Sequence, residues 1–164
     1  VIVMHVAVRW ILFLVATALV FYFSKYEFGP RKYPVKTLDG RCLYKPSSVA
    51  GILSQLGDSR TQYFEQETTI DLIFPMVYGL MFVTAIVSLI PGAGAPRWLV
   101  VLPVLTVLAD YCENATVIAM LKRYPGDLGV LPWFASAASG TKGVSLLGST
   151  LAVLVLVVMW FVRR

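Results

Sequence analysis

Apolar residues run for the thickness of a bilayer four times along this chain. The stretches are Ile2–Phe23, Ile70–Ile90, Trp98–Leu121 and Val144–Val162, and a helix needs about 20 residues to cross the hydrocarbon. The strict alternation of a membrane barrel is absent. The pattern predicts an all-α, four-helix bundle in a single domain, residues 1–164, in an integral, multi-pass membrane protein. The first run is too long for a signal peptide and has no small-residue cleavage site after Phe21-Tyr22-Phe23, so it is expected to stay as a span. The chain opens at Val1 rather than Met, which points to a start that is removed or lies further upstream.

The connections carry their own signals. Residues 24–68 form one long, partly helical loop. Within it Pro46–Gly57 predicts a short amphipathic helix lying over the bundle. Val49, Ile52, Leu53 and Leu56 form its apolar face, Ser47 or Ser48 its cap, and Gly57 its stop. Asp58–Glu67 is expected to open the second helix, capped by Asp58 or Ser59, with Arg60 and Tyr63 as interfacial anchors. Residues 92–96 make a short turn, so spans two and three are antiparallel neighbours. Residues 122–143 are read as a connection to the fourth span, whose Gly143, Gly148, Ser149 and Ala152 suit close helix packing.

Composition changes the picture in one direction. The chain is 58% hydrophobic and 14% charged, with net charge +5. The basic residues are expected to meet anionic lipid headgroups, not nucleic acid. Lys25, Arg31, Lys32, Lys36, Arg41, Lys45, Arg60, Lys122, Arg123 and Lys142 fall in the first and third connections, with Arg97, Arg163 and Arg164 at the other end. The positive-inside rule then places both chain ends away from the cytoplasm. Cys42 and Cys112 are far apart and His5 is the one histidine, so no metal, haem or other cofactor is expected. Cys112 reads as a small packed residue and His5 as interfacial.

The candidate chemistry lies inside the spans. Asp110, Glu113 and Asn114 sit mid-way along the third, where a carboxylate costs about 2.5–3.5 kcal/mol on insertion scales. Thr106, Asp110, Glu113, Asn114 and Val117 share one helical face. On the second span Asp71, Phe74, Pro75, Tyr78, Phe82 and Ala85 do the same, and Pro75 removes a backbone donor. In the first span Arg9 lies about 22 Å from the loop face, against about 18 Å for Asp110. The expected network pairs Arg9 with Asp110 or Glu113 and extends through Asn114, Thr106 and Tyr78. One arginine cannot neutralise two carboxylates, so at least one acid is expected to carry a proton. Phe74 and Phe82 would line a pocket beside it. Asn114-Ala-Thr116 matches a glycosylation acceptor but lies at membrane depth.

Two segments, Leu56-Gly-Asp-Ser-Arg-Thr-Gln-Tyr63 running into Asp71-Leu-Ile-Phe-Pro-Met-Val-Tyr78, and Asp110-Tyr-Cys-Glu-Asn114, resemble a group of small four-span membrane proteins. That group carries an LG..R..Y, D..FP..Y and D..EN pattern, and the resemblance implies a common fold. The layout of one span, a loop of about 40 residues and three closely joined spans is also similar to the emopamil-binding and sigma-2 receptor family. That similarity implies a bundle whose intramembrane acids hold an amine or protonate a sterol. Asp71 and the acids of span three would take comparable parts, although here the acids cluster as Asp-x-x-Glu-Asn.

Three functions stay open. The first is a site for a lipid- or isoprenoid-like ligand, with acid-catalysed isomerisation or cyclisation as its chemistry. Asp110, Glu113 and Asp71 are its candidate catalytic residues, and Tyr78, Asn114, Arg9, Thr106, Phe74 and Phe82 its candidate ligand-binding residues. The second is an accessory subunit of a larger membrane complex. The third is a small proton-coupled transporter, expected as a homo-oligomer. No hydrolase or metalloprotease motif is present.

Overall fold

A computed structural model describes residues 2–27, 33–41 and 43–163. Val1, Arg31, Lys32, Cys42 and Arg164 lie outside the described residues, as does the His5 side chain. Most of the described chain is helical, with no strand among the described residues. Its helices are α1 (Ile2–Glu27), α2 (Val49–Leu56), α3 (Ser59–Glu67), α4 (Ile70–Ala93), α5 (Val101–Arg123) and α6 (Leu131–Val162). Single 3₁₀ turns, Pro46–Ser48 and Arg97–Val100, lead into α2 and α5. Four helices are long and apolar enough to cross a membrane, α3 and α4 counting as one. Their exposed faces are large hydrophobic side chains, as lipid contact requires.

Helix α4 is the hub: α1 packs on it from one side, α5 and α6 from the other, and α5 and α6 pair most extensively. Helix α1 makes at most marginal contact with α5 or α6. The close pairing of α4 with α5 depends on Gly79, where any Cβ would strike the Val107 side chain. At one end of the bundle Ile86, Leu89, Ala93 and Leu156 form an apolar core that Trp160 packs against. At the other end Val49, Ile52, Leu53 and Leu56 of α2 are buried against Tyr63, Val117, Met120, Leu128 and Ala135. The amphipathic helix in the long connection therefore caps this loop end, and Gly57 ends it at φ 53°.

Several expectations are corrected. Tyr63 is fully buried core rather than an interfacial anchor, because α2 and residues 33–41 fold over it. Cys112 faces outward. Neither α2 nor α3 has a side-chain cap, because backbone bonds already take the first amides: Ser48 to the Lys45 carbonyl, Arg60 to Gly57 and Thr61 to Asp58.

The largest correction is α6. It begins at Leu131, more than three turns before the expected start at Val144. Its inner face is a stripe of small residues, with Ala135, Ser139, Ser145 and Ser149 buried. Their hydroxyls are satisfied by carbonyls, as in Ser149 to Ser145 at 2.8 Å. Lys142, read as a loop residue, therefore lies inside the bundle.

Candidate functional site

Helices α4, α5 and α6 bring three charged side chains and a phenol together. The Lys142 ammonium donates to Asp110 Oδ1 at 3.1 Å and forms a closer ion pair with Glu113 Oε2. The Tyr78 hydroxyl donates to Asp110 Oδ2 at 2.6 Å. One ammonium thus faces two carboxylates, and the phenol takes part of the charge left on Asp110. Below the pair, Thr106 donates to the Ser145 hydroxyl at 2.9 Å, tying α5 to α6.

The expected partner of these acids, Arg9, is elsewhere. Its Nη1 donates to the Val87 carbonyl at 3.4 Å. Val87 lies nine residues beyond Tyr78, about 13 Å along α4 at the helical rise. Two physical facts place Arg9 there. Helix α1 packs on α4 rather than α5, and Pro91 has no amide to offer the carbonyl four residues before it, which is that of Val87. The same device operates at Pro75. It leaves the Asp71 carbonyl without its helical donor, and Asn114 Nδ2 fills the gap at 2.7 Å. The Asp71 carboxylate accepts from Gln66 Nε2 at 2.9 Å, and the Tyr33 hydroxyl bonds Gln66 in turn at 3.1 Å.

The first connection closes the loop end. Ser136 and Ser139 of α6 donate to the carbonyls of Tyr44 and Arg41, at 2.7 and 2.9 Å. The Arg41 guanidinium grips the Lys36 carbonyl through Nε and Nη2. Burial, then the nearby Glu113 carboxylate, pushes the Tyr44 phenol well above its ordinary range.

Between α1, this loop, α4 and α6 lies a cavity of about 410 Å³, a size that suits a small organic ligand. Val20 and Ser24 of α1 form one wall, and Lys142, Gly143 and Leu146 of α6 the opposite one. The floor is Phe74, Pro75, Tyr78, Met81 and Phe82 of α4, with Asp110 and Asn114 of α5. Phe74 and Tyr78 stack edge to face, 5.5 Å between centroids. Asp39, Arg41 and Asp71 lie at the loop end. Helices α1 and α6 hardly touch, so the cavity fills the space between them.

Of the residues expected at the site, Asp71, Phe74, Tyr78, Phe82, Asp110 and Asn114 line this one cavity. Glu113 and Thr106 are fully buried behind it, and Arg9 is remote. Lys142, Ser139, Arg41 and Asp39 belong to the site and were missed. For Lys142 a signal existed: it continues the small-residue stripe of α6 at helical spacing. Comparisons with protein-family models, curated proteins and solved structures give no match.

Proposed function

We propose that this is a multi-pass membrane protein that takes a lipid- or isoprenoid-like molecule into the cavity between α1, α4 and α6. The observation that carries this reading is the joining of a largely apolar cavity to a convergent polar triad, Asp110, Lys142 and Tyr78. Ligand sites commonly combine apolar walls with a few placed polar groups. Phe74, Met81, Phe82 and Leu146 would hold the hydrocarbon part. The triad would meet a polar end group, Lys142 donating and Asp110 accepting. For a proton transfer in isomerisation or cyclisation, Asp110 is the carboxylate placed to reach the ligand; held by Lys142 and Tyr78, it would take a proton from it rather than give one. Glu113 then serves as the anchor that fixes Lys142, not as the proton donor.

The test is mass spectrometry of small molecules that co-purify with the protein. A defined lipid or isoprenoid that is present with wild type and depleted at least about tenfold in an Asp110→Asn/Tyr78→Phe double variant is the expected result. Equal small-molecule content in folded wild type and variant overturns the reading and favours a protein partner, as for an accessory subunit.

A further inference from the structure

The cavity lies on one side of α6, and the other side carries a separate groove of about 760 Å³ that shares no lining residue with it. Leu102 and Leu105 of α5 form one bank. Leu43 and Pro46 of the first connection close the loop end beside Trp133. The bed is α6 itself, kept low by Gly140 and Gly148. A Cβ at Gly140 would come within 3.0 Å of the Leu43 side chain, and one at Gly148 within 3.5 Å of Leu102. The first connection is held across α6 because Ser136 donates to the Tyr44 carbonyl at 2.7 Å.

Depth decides what this groove meets. Asp110 stands midway along the span Arg97–Arg123, so its pair with Lys142 marks the middle of the membrane-crossing segment. Trp133 precedes Lys142 by about 14 Å of helix toward the loop end, and half of the hydrocarbon is about 15 Å. The groove therefore begins at the boundary between headgroups and hydrocarbon, where tryptophan is favoured. From Trp133 to Gly148 it runs about 22 Å, half of a membrane that is about 40–45 Å thick with its headgroups. That is about the length of one lipid. Past Gly148 the same face turns bulky with Leu151 and Val155, 52% and 55% exposed, so a partner helix crossing the whole membrane would find a bed for only part of its length.

The end at the headgroup boundary is basic. Lys45 is exposed and stands in the chain between Leu43 and Pro46. Arg123, also exposed, lies on the Leu105 face of α5, about five turns nearer the loop end. We propose that this groove binds one anionic phospholipid, with an acyl chain along α6 between Leu105 and Leu43 and the phosphate at Lys45. Lipid is the medium around the exposed apolar faces, and a basic residue near the membrane surface favours an anionic head by about 1 kcal/mol. The inference is independent of the molecule assigned to the cavity, since the two share no residue.

Native mass spectrometry of the delipidated full chain, titrated in detergent with phosphatidylglycerol or phosphatidylcholine, tests it. One phosphatidylglycerol per chain should bind saturably, about fivefold tighter than phosphatidylcholine. Gly148→Leu places a side chain in the bed and should weaken binding at least about tenfold. Lys45→Gln should abolish the headgroup preference, and it carries the reading if Gly148→Leu fails to fold. Gly143→Leu, on the cavity side of α6, should leave phosphatidylglycerol binding unchanged. Equal binding of the two lipids, wild-type affinity in Gly148→Leu, a preference untouched by Lys45→Gln, or loss in Gly143→Leu instead overturns the proposal. So does a wild-type dimer that Gly148→Leu dissociates, because a second copy then covers the groove.

Discussion

The protein buries two groups of acids at neighbouring levels and treats them differently. Asp110 and Glu113 meet a lysine and a phenol from other helices. Glu67, beside Asp39 and Asp71, meets other carboxylates and the Tyr63 hydroxyl one turn earlier. The same chemical group is thus matched by a cation and a phenol in one place and set beside its own kind in the other. A carboxylate's residue type and depth do not tell its role; the partner that the fold delivers does.

Removing Lys142 should break this contrast hardest. Lys142→Met leaves Glu113 buried without its cation, and unfolding titrations should show a loss of about 3–5 kcal/mol. Adding Glu113→Gln should restore much of it. Glu67→Gln should cost less than about 1 kcal/mol, because an amide of the same shape needs no counter-charge and can still bond the Tyr63 hydroxyl. Equal costs for Lys142→Met and Glu67→Gln would erase the distinction.

Two glycines sharpen it next. At Gly143 a Cβ would meet nothing within 4 Å, and the residue lines the cavity. Gly143→Leu should therefore deplete the co-purifying molecule while holding or raising Tm, since glycine costs a helix about 1 kcal/mol. At Gly79 the same substitution drives into Val107, and a loss of about 1–3 kcal/mol is expected from overpacking. If Gly143→Leu keeps the bound molecule, the cavity is not where it sits. Tyr78→Phe, which removes one bond to Asp110, should cost about 1 kcal/mol of stability in a denaturant melt. Arg9→Leu should have the smallest effect, under about 1 kcal/mol, with unchanged small-molecule content, because its bond to Val87 is long and far from the acids.

The hydropathy pattern found the four long helices and the amphipathic cap because both are local properties of sequence. It misplaced the start of α6 because Ser136, Ser139, Gly140, Thr141 and Lys142 dilute the apolar signal over two turns. That error removed Lys142 from the list of intramembrane charges and left Arg9 as the apparent partner. Depth counted along a helix cannot say which helices are neighbours, and α1 lies on α4. The face shared by Asp71, Phe74, Tyr78 and Phe82 was legible from spacing alone, and all four line the cavity. Asp39 and Glu67 were not, because their burial depends on how residues 33–41 fold back over α3.

The two prolines of α4 have a consequence beyond bending. A membrane helix normally consumes its own backbone bonds and offers its neighbours nothing but side chains. Pro75 and Pro91 each release one carbonyl, and each released carbonyl is taken by a different neighbour, Asn114 of α5 and Arg9 of α1. The two sites are sixteen residues apart, about 24 Å along the axis. Helix α4 therefore works as a notched ruler: each missing amide is a mark that sets how far an adjoining helix slides before it stops.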